Sequence, residues 1–129
     1  MSEEKSSEIG AIVWVDQTSP NAPELLEFYK QVVGWTTTPV DMGGYDDWCV
    51  NEPATSTPVA GICNARGPNA SLPPGWIVYI TVADVDASAA RAVELGGKLL
   101  RRPSPPTSDM RYCIVRDPGG AVVGLYQKK

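Results

Sequence analysis

Carboxylates, tyrosines and thiols are the side chains of this 129-residue sequence that could move a proton or attack a substrate, because it contains no histidine. That absence removes Ser-His-Asp and Cys-His machinery and every imidazole metal ligand. Asp46 and Asp47 are neighbours, but adjacent residues of a strand point to opposite faces, so they cannot share one site and read as surface turn residues. The sequence pairs none of these groups into a convincing catalytic set. Cys49, Cys63 and Cys113 are odd in number, lack metal-type spacing and sit in apolar stretches, which reads as reduced, mostly buried small hydrophobes.

Composition narrows the partners. Hydrophobic content of 43% with 20% charged residues fits one globular domain long enough for a core. A net charge of −4 and a pI near 4.7 argue against a nucleic-acid partner, which would draw on clustered Lys and Arg, and tolerate a cationic compound. No apolar run reaches the roughly 18 residues of a membrane span, and residues 1–8 are polar and acidic rather than a secretory signal. A cytoplasmic location is expected, with no membrane partner.

The elements that must position these groups come from a repeat at an offset of 63 residues. Val59-Ala60-Gly61-Ile62 reads onto Val122-Val123-Gly124-Leu125, Gly34 onto Gly97, Val32 onto Leu95, and Trp14-Val15 onto Ile77-Val78. A repeat of this length makes the half the structural unit and places any pocket between two copies. In the first half, residues 9–16 read as a strand. Asn21 supplies N-cap chemistry with Glu24 three residues on, an amphipathic helix covers residues 22–33, and Gly34 stands at a left-handed C-cap. Three strands follow at residues 36–40, 46–51 and 58–64. Residues 66–75, rich in Gly and Pro, form the connection. The second half repeats the order with a strand at 76–82, a helix capped by Asp86 and running through Leu95 to Gly96-Gly97, and strands at 98–102, 111–115 and 122–127. The predicted organisation is a single domain over residues 1–129, with modules at 9–65 and 76–127. The class is α+β, two tandem βαβββ modules, because one strand–helix–strand per half is not a doubly wound parallel sheet.

The chain resembles the vicinal oxygen chelate superfamily of glyoxalase I, extradiol dioxygenases and bleomycin resistance proteins. The residues that carry the resemblance are Glu27-Phe28-Tyr29 with Gly34-Trp35, then Val82-Ala83-Asp84-Val85-Asp86-Ala87 leading into Gly96-Gly97, and finally Asp117-Pro118-Gly119-Gly120. Gly-Trp after the first helix and Val-Ala-Gly near the end of the first half are similar to a glyoxalase-like subgroup. The resemblance implies a curved mixed sheet around a cup, with a divalent metal at its mouth held from the first and last strands of each module. Those positions are Trp14, seven residues before Asn21, and Ile77, seven before Asp84. Gly124, seven after Asp117, and its repeat mate Gly61 complete the set. None ligates a borderline metal, so no metal and no cofactor are expected at the inherited site.

Period-two alternation puts Trp14 with Ile12 and Asp16, and Ile77 with Tyr79 and Thr81. If those faces line the cup, its wall comprises Trp14, Asp16, Trp48, Gly61, Ile77, Tyr79, Gly124 and Tyr126, with Gly61 and Gly124 leaving space beside the indole. The alternative, that the aromatics fill the cup as core, stays open. Arg101, Arg102, Arg111 and Arg116 read as a solvated face, with a cationic rim for an anionic ligand as the sharper option. Trp35 and Trp76 read as packing residues. The function expected is a metal-independent small-molecule binding protein, taking an aromatic or apolar compound and acting as a homodimer. Two alternatives stand beside it: an enzyme of the superfamily with a displaced metal or acid–base chemistry from Tyr79, Tyr126 and Asp16, and an interaction module with a filled cup.

Overall fold

The computed structural model describes residues 8–128. Residues 1–7, on which most of the argument about a secretory signal rests, lie outside it. The chain divides into two compact units: Val15–Trp76, and the residues up to Trp14 together with those from Ile77 on. The division falls inside the first strand.

The Val15–Trp76 unit takes most of β1 (Ile12–Ser19), then α1 (Ala22–Val33), β2 (Thr36–Asp41), β3 (Asp46–Asn51) and β4 (Pro58–Asn64), followed by a 3-10 turn at Gly67–Asn69. Its strands lie in the order β2-β3-β4-β1, with β1 parallel to β4 and the other pairs antiparallel. Pro23 in the first turn is preset for helical φ and has no N–H to leave unpaired. Gly34 ends α1 at φ 88°, donating its N–H to the Lys30 carbonyl at 3.0 Å, a conformation that costs a side-chain-bearing residue energy. Asn21 holds the N-cap position, but its side chain bonds Ser19 and Glu24, not a backbone N–H of the helix. Ala22 and Leu26 are buried against Val50, Ala60 and Ile62 of the sheet. Each large apolar side chain so buried contributes about 1.5–3 kcal/mol relative to exposure. Trp35 and Trp76 close one end of this core around Tyr29. Their rings are 6.0 Å apart, and the Trp76 indole N–H donates to the Tyr29 hydroxyl at 3.2 Å.

The second unit repeats the plan with β5 (Ile77–Val82), α2 (Val85–Glu94), β6 (Lys98–Arg101), β7 (Arg111–Arg116) and β8 (Val122–Gln127), ordered β5-β8-β7-β6. Gly10 and Thr81 share a backbone bond of 2.8 Å, and Thr81 donates to Ala11 at 2.9 Å. Its core joins Val85 and Ala89 of α2 to Cys113 and Val115 of β7. The helix begins two residues earlier than the sequence pattern suggests. Asp84, not Asp86, caps it by accepting the Ala87 N–H at 3.1 Å, because Asp86 already lies in the first turn. A side chain on Gly97 would meet the carbonyl oxygens of Ala92 and Arg116 at 2.9 Å, so the turn after α2 passes too close to β7 for anything larger.

The α+β class and the two βαβββ modules with mixed sheets are thus as predicted. The repeat extends to register. Asp16 pairs with Gly61 as Tyr79 pairs with Gly124, and Thr18 with Cys63 as Thr81 with Tyr126, each pair shifted by 63 residues. In the antiparallel pairing the shift becomes 65 on one side: Trp48 faces Ile62, whereas Cys113 faces Leu125. The residue of the second unit corresponding to Asp47 is therefore Tyr112. β1 is displaced three residues along the chain from the predicted strand at 9–16, starting at Ile12 and finishing at Ser19, because its pairing with β4 continues to Ser19 and Asn64.

Candidate functional site

Each sheet has one face covered by its helix and one turned away, and the second face carries the reactive groups. In the Val15–Trp76 unit that face presents Asp16, Thr18, Asp47, Cys49, Gly61 and Cys63, as the register dictates. Asp47 is not a surface turn residue. It is buried on β3 and accepts two bonds of 2.9 Å from Asn64, one from the backbone N–H and one from the side-chain amide, while Asp46 is exposed. Burial pushes the Cys63 thiol up strongly, and the negative charges of Asp16 and Asp47 push it further. Burial also raises Cys49. Thiols held protonated are poor nucleophiles, so this face offers carboxylates and inert sulfur. Cys49 and Cys63 are half-buried, and only Cys113 is fully enclosed. Trp48 lies on the other side of β3, packed against the core beneath α1, which separates it from Asp16 and Gly61.

In the other unit the corresponding face presents Ile77, Tyr79 and Thr81 of β5, Gly124 and Tyr126 of β8, Tyr112 and Ile114 of β7, and Arg101 of β6. Ile77, Thr81 and Ile114 are buried; the three tyrosines and Arg101 are half-buried. The Tyr79 and Tyr112 rings meet edge to face at 5.9 Å and 73°, and the Arg101 guanidinium carbon lies 4.7 Å from the Tyr112 ring centre. Gly124 does not open space as expected. A Cβ there would sit 2.8 Å from Cγ of Tyr79 and closer still to Cδ2 and Cε2, so the Tyr79 ring already occupies that volume. Trp14 is half-buried, on the alternating face of β1 that also carries Asp16.

The arginines divide. Arg111 is buried, and its guanidinium bonds Asp86 at 3.1 and 3.2 Å and the Ser104 carbonyl at 2.8 Å, so it braces the β6–β7 loop against α2 and belongs to no rim. Arg102 is exposed and Arg116 half-buried. Sequence reasoning missed Tyr112 and its stack with Arg101. Alternation along β7 with Ile114 carried the signal, but the 65-residue shift hid its place.

The four inherited metal positions do not fit a divalent ion. Trp14, Gly61 and Ile77 carry no donor side chain, and Gly124 lies under a tyrosine ring. Among the described residues, no group of three or more His, Cys, Asp or Glu side chains is placed to hold a metal.

The chain belongs to the glyoxalase/bleomycin resistance protein/dioxygenase superfamily, whose family model matches residues 11–125. Among curated relatives, the protein named "Putative glyoxylase CFP32" of Mycobacterium bovis is 30% identical over 119 residues, covering 92% of this chain and 44% of that one. The anthracycline biosynthesis protein DnrV of Streptomyces peucetius is 28% identical over 130 residues, covering 92% and 47%. The chain thus spans less than half the length of these relatives. Solved structures share the fold, two of which serve as examples. The hypothetical protein BH1468 of Bacillus halodurans aligns with a TM-score of 0.59 at 14% identity over 95% of this chain and 96% of that one. Methylmalonyl-CoA epimerase of Mycobacterium tuberculosis aligns at 0.55 and 15% identity over 95% and 92%.

Proposed function

We propose that this domain binds a planar aromatic or apolar small molecule without a metal at the family's inherited positions. The observation that carries the reading is the face of Tyr79, Tyr112 and Tyr126, three half-buried aromatic side chains on adjacent strands, turned away from the helix-side core. Tyrosines combine an apolar ring with a polar tip, which suits a flat ligand held by stacking and oriented by hydroxyls. The likeness to an anthracycline biosynthesis protein supports a flat polycyclic ligand. The suppressed thiols and the absence of histidine favour binding over nucleophilic catalysis. In this reading the protein works in the cytoplasm as a homodimer. Relatives about twice as long and the exposed Phe28, Val32 and Val33 on α1 are the support for pairing. Among the described residues no helix is long and apolar enough to cross a membrane.

Scanning calorimetry of the purified protein against a panel of planar aromatic compounds, with elemental analysis alongside, tests the proposal. Several aromatics should raise the melting temperature, and no stoichiometric transition metal should survive dialysis. A panel without a single stabilising compound would sink the binding reading. A near-equimolar metal whose removal lowers the melting temperature would sink metal independence.

A further inference from the structure

Three features of the tyrosine face point past generic aromatic binding. The first is the fit of Tyr79 to Gly124. Gly124 is absent from the glycines with positive φ, so its backbone would accept any residue; what excludes a side chain is the Tyr79 ring lying across it. The ring is thereby held close to β8, and a fixed aromatic plate loses little entropy on binding. The second is the buttress, since Tyr112 meets Tyr79 edge to face at 5.9 Å.

The third is a bulge in β6. Leu99 pairs with Val115 and packs on the helix-side core, but Arg101, two residues on, pairs with Ile114. Without this irregularity Arg101 would share the side of Leu99, because side chains two apart in a strand point the same way. The bulge turns it onto the tyrosine face, where its guanidinium lies 4.7 Å above the Tyr112 ring. Bulges re-aim side chains and are over-represented next to active sites. A guanidinium held over an aromatic face brings a planar fork of N–H donors beside the rings, a group whose shape matches a carboxylate.

We infer that Tyr79 and Arg101 are specificity-determining residues for a planar aromatic ligand that carries an anionic group, the ring system lying on Tyr79 and the anion engaging Arg101. The inference rests on the proposal that the tyrosine face binds a small molecule. An aromatic ring over a strand glycine also steadies a sheet, so the test must read ligand preference as well as stability.

Anthraquinone-2-carboxylate and its uncharged carboxamide are the probes, with dissociation constants from titration calorimetry. The parent protein should prefer the carboxylate by about tenfold, the scale of one charge-assisted hydrogen bond, and the preference should shrink as salt is raised. Arg101→Gln should bring the ratio close to one while the carboxamide still binds. Tyr79→Leu should weaken both probes, and so should Gly124→Ala, which displaces the ring. In the double variant Tyr79→Leu with Gly124→Ala, the melting temperature lost in Gly124→Ala should return while affinity does not. If either probe binds but the parent shows no preference, or Arg101→Gln keeps it, or Tyr79→Leu binds as tightly as the parent, the inference fails and the broader binding proposal stands. If neither probe nor any panel compound binds, the broader proposal fails first.

Discussion

The two sheet faces turned away from the helices share one strand register and hold opposite chemistry. Asp16, Asp47 and Cys63 in the first unit stand where Tyr79, Tyr112 and Tyr126 stand in the second, while Gly61 and Gly124 are retained in both. Backbone pairing is thus shared while the face of each sheet turned away from its helix differs in residue type. The fold specifies where a side chain points, and the residue type specifies what it can do. One face has become acidic and sulfur-bearing with its thiols silenced; the other has become a set of aromatic plates with a guanidinium beside them.

Substitutions that erase one face and not the other test this division. Gly124→Leu should have the largest effect. It drives a branched side chain into the volume of the Tyr79 ring and should lower stability by about 3 kcal/mol, the upper part of the overpacking range, as read by urea denaturation. In the other unit, Asp47→Ala removes the acceptor of both of these Asn64 bonds and should cost about 1–2 kcal/mol in the same assay, the scale of a half-buried backbone N–H left unpaired while the side-chain amide keeps its bond to the Asp46 carbonyl. A cost of zero would mean that Asp47 is dispensable to its own sheet.

A smaller effect should appear on the pH axis. Burial, with the charge of Asp86 adding to it, pushes the Cys113 thiol up to about 11 from an ordinary 9.0. Below 9.0 both states keep the proton and the thiol adds no pH dependence. Above it the unfolded chain ionises first, so stability should fall as pH rises from 9.0 toward about 11. Cys63 acts in the same direction. Denaturation midpoints across that range should be flatter in Cys113→Val than in the parent. The smallest effect expected is chemical: Asp16→Asn removes one of the charges that hold the Cys63 thiol protonated. Iodoacetamide labelling of Cys63 at pH 9, followed by mass spectrometry, should then quicken, modestly because burial is the larger cause. An unchanged rate would separate Asp16 from the thiol.

What could be read from the sequence was whatever a short stretch of chain decides for itself. The span of α1 follows from its apolar spacing and from Gly34, and β3, β4 and β8 from alternation between turn residues. What failed depended on partners distant in sequence. β1 continues to Ser19 because β4 is there to pair with it, and α2 starts at Val85 because Asp84 reaches the Ala87 N–H. At the candidate site, Tyr79 and Tyr126 were legible from strand parity. Gly124 was legible as a special position, but its role was inverted, since only the cross-strand register shows that the ring of Tyr79 fills the missing side chain. Trp48 looked like a wall residue because aromatic content carries no information about which side of β3 it takes.

The packing of Trp35 against Trp76 has a consequence for how the molecule can be watched. The two indoles lie 6.0 Å apart at 81°, both in the Val15–Trp76 unit, and residues 77–128 contain no tryptophan at all. Transitions of rings this close couple, giving that unit an exciton band in circular dichroism, while the other unit absorbs in the near ultraviolet through Trp14 together with its tyrosines, with no second indole to couple to. The coupled indole pair therefore marks the Val15–Trp76 unit alone. Loss of order in that unit can be followed by its coupled band in an unlabelled sample.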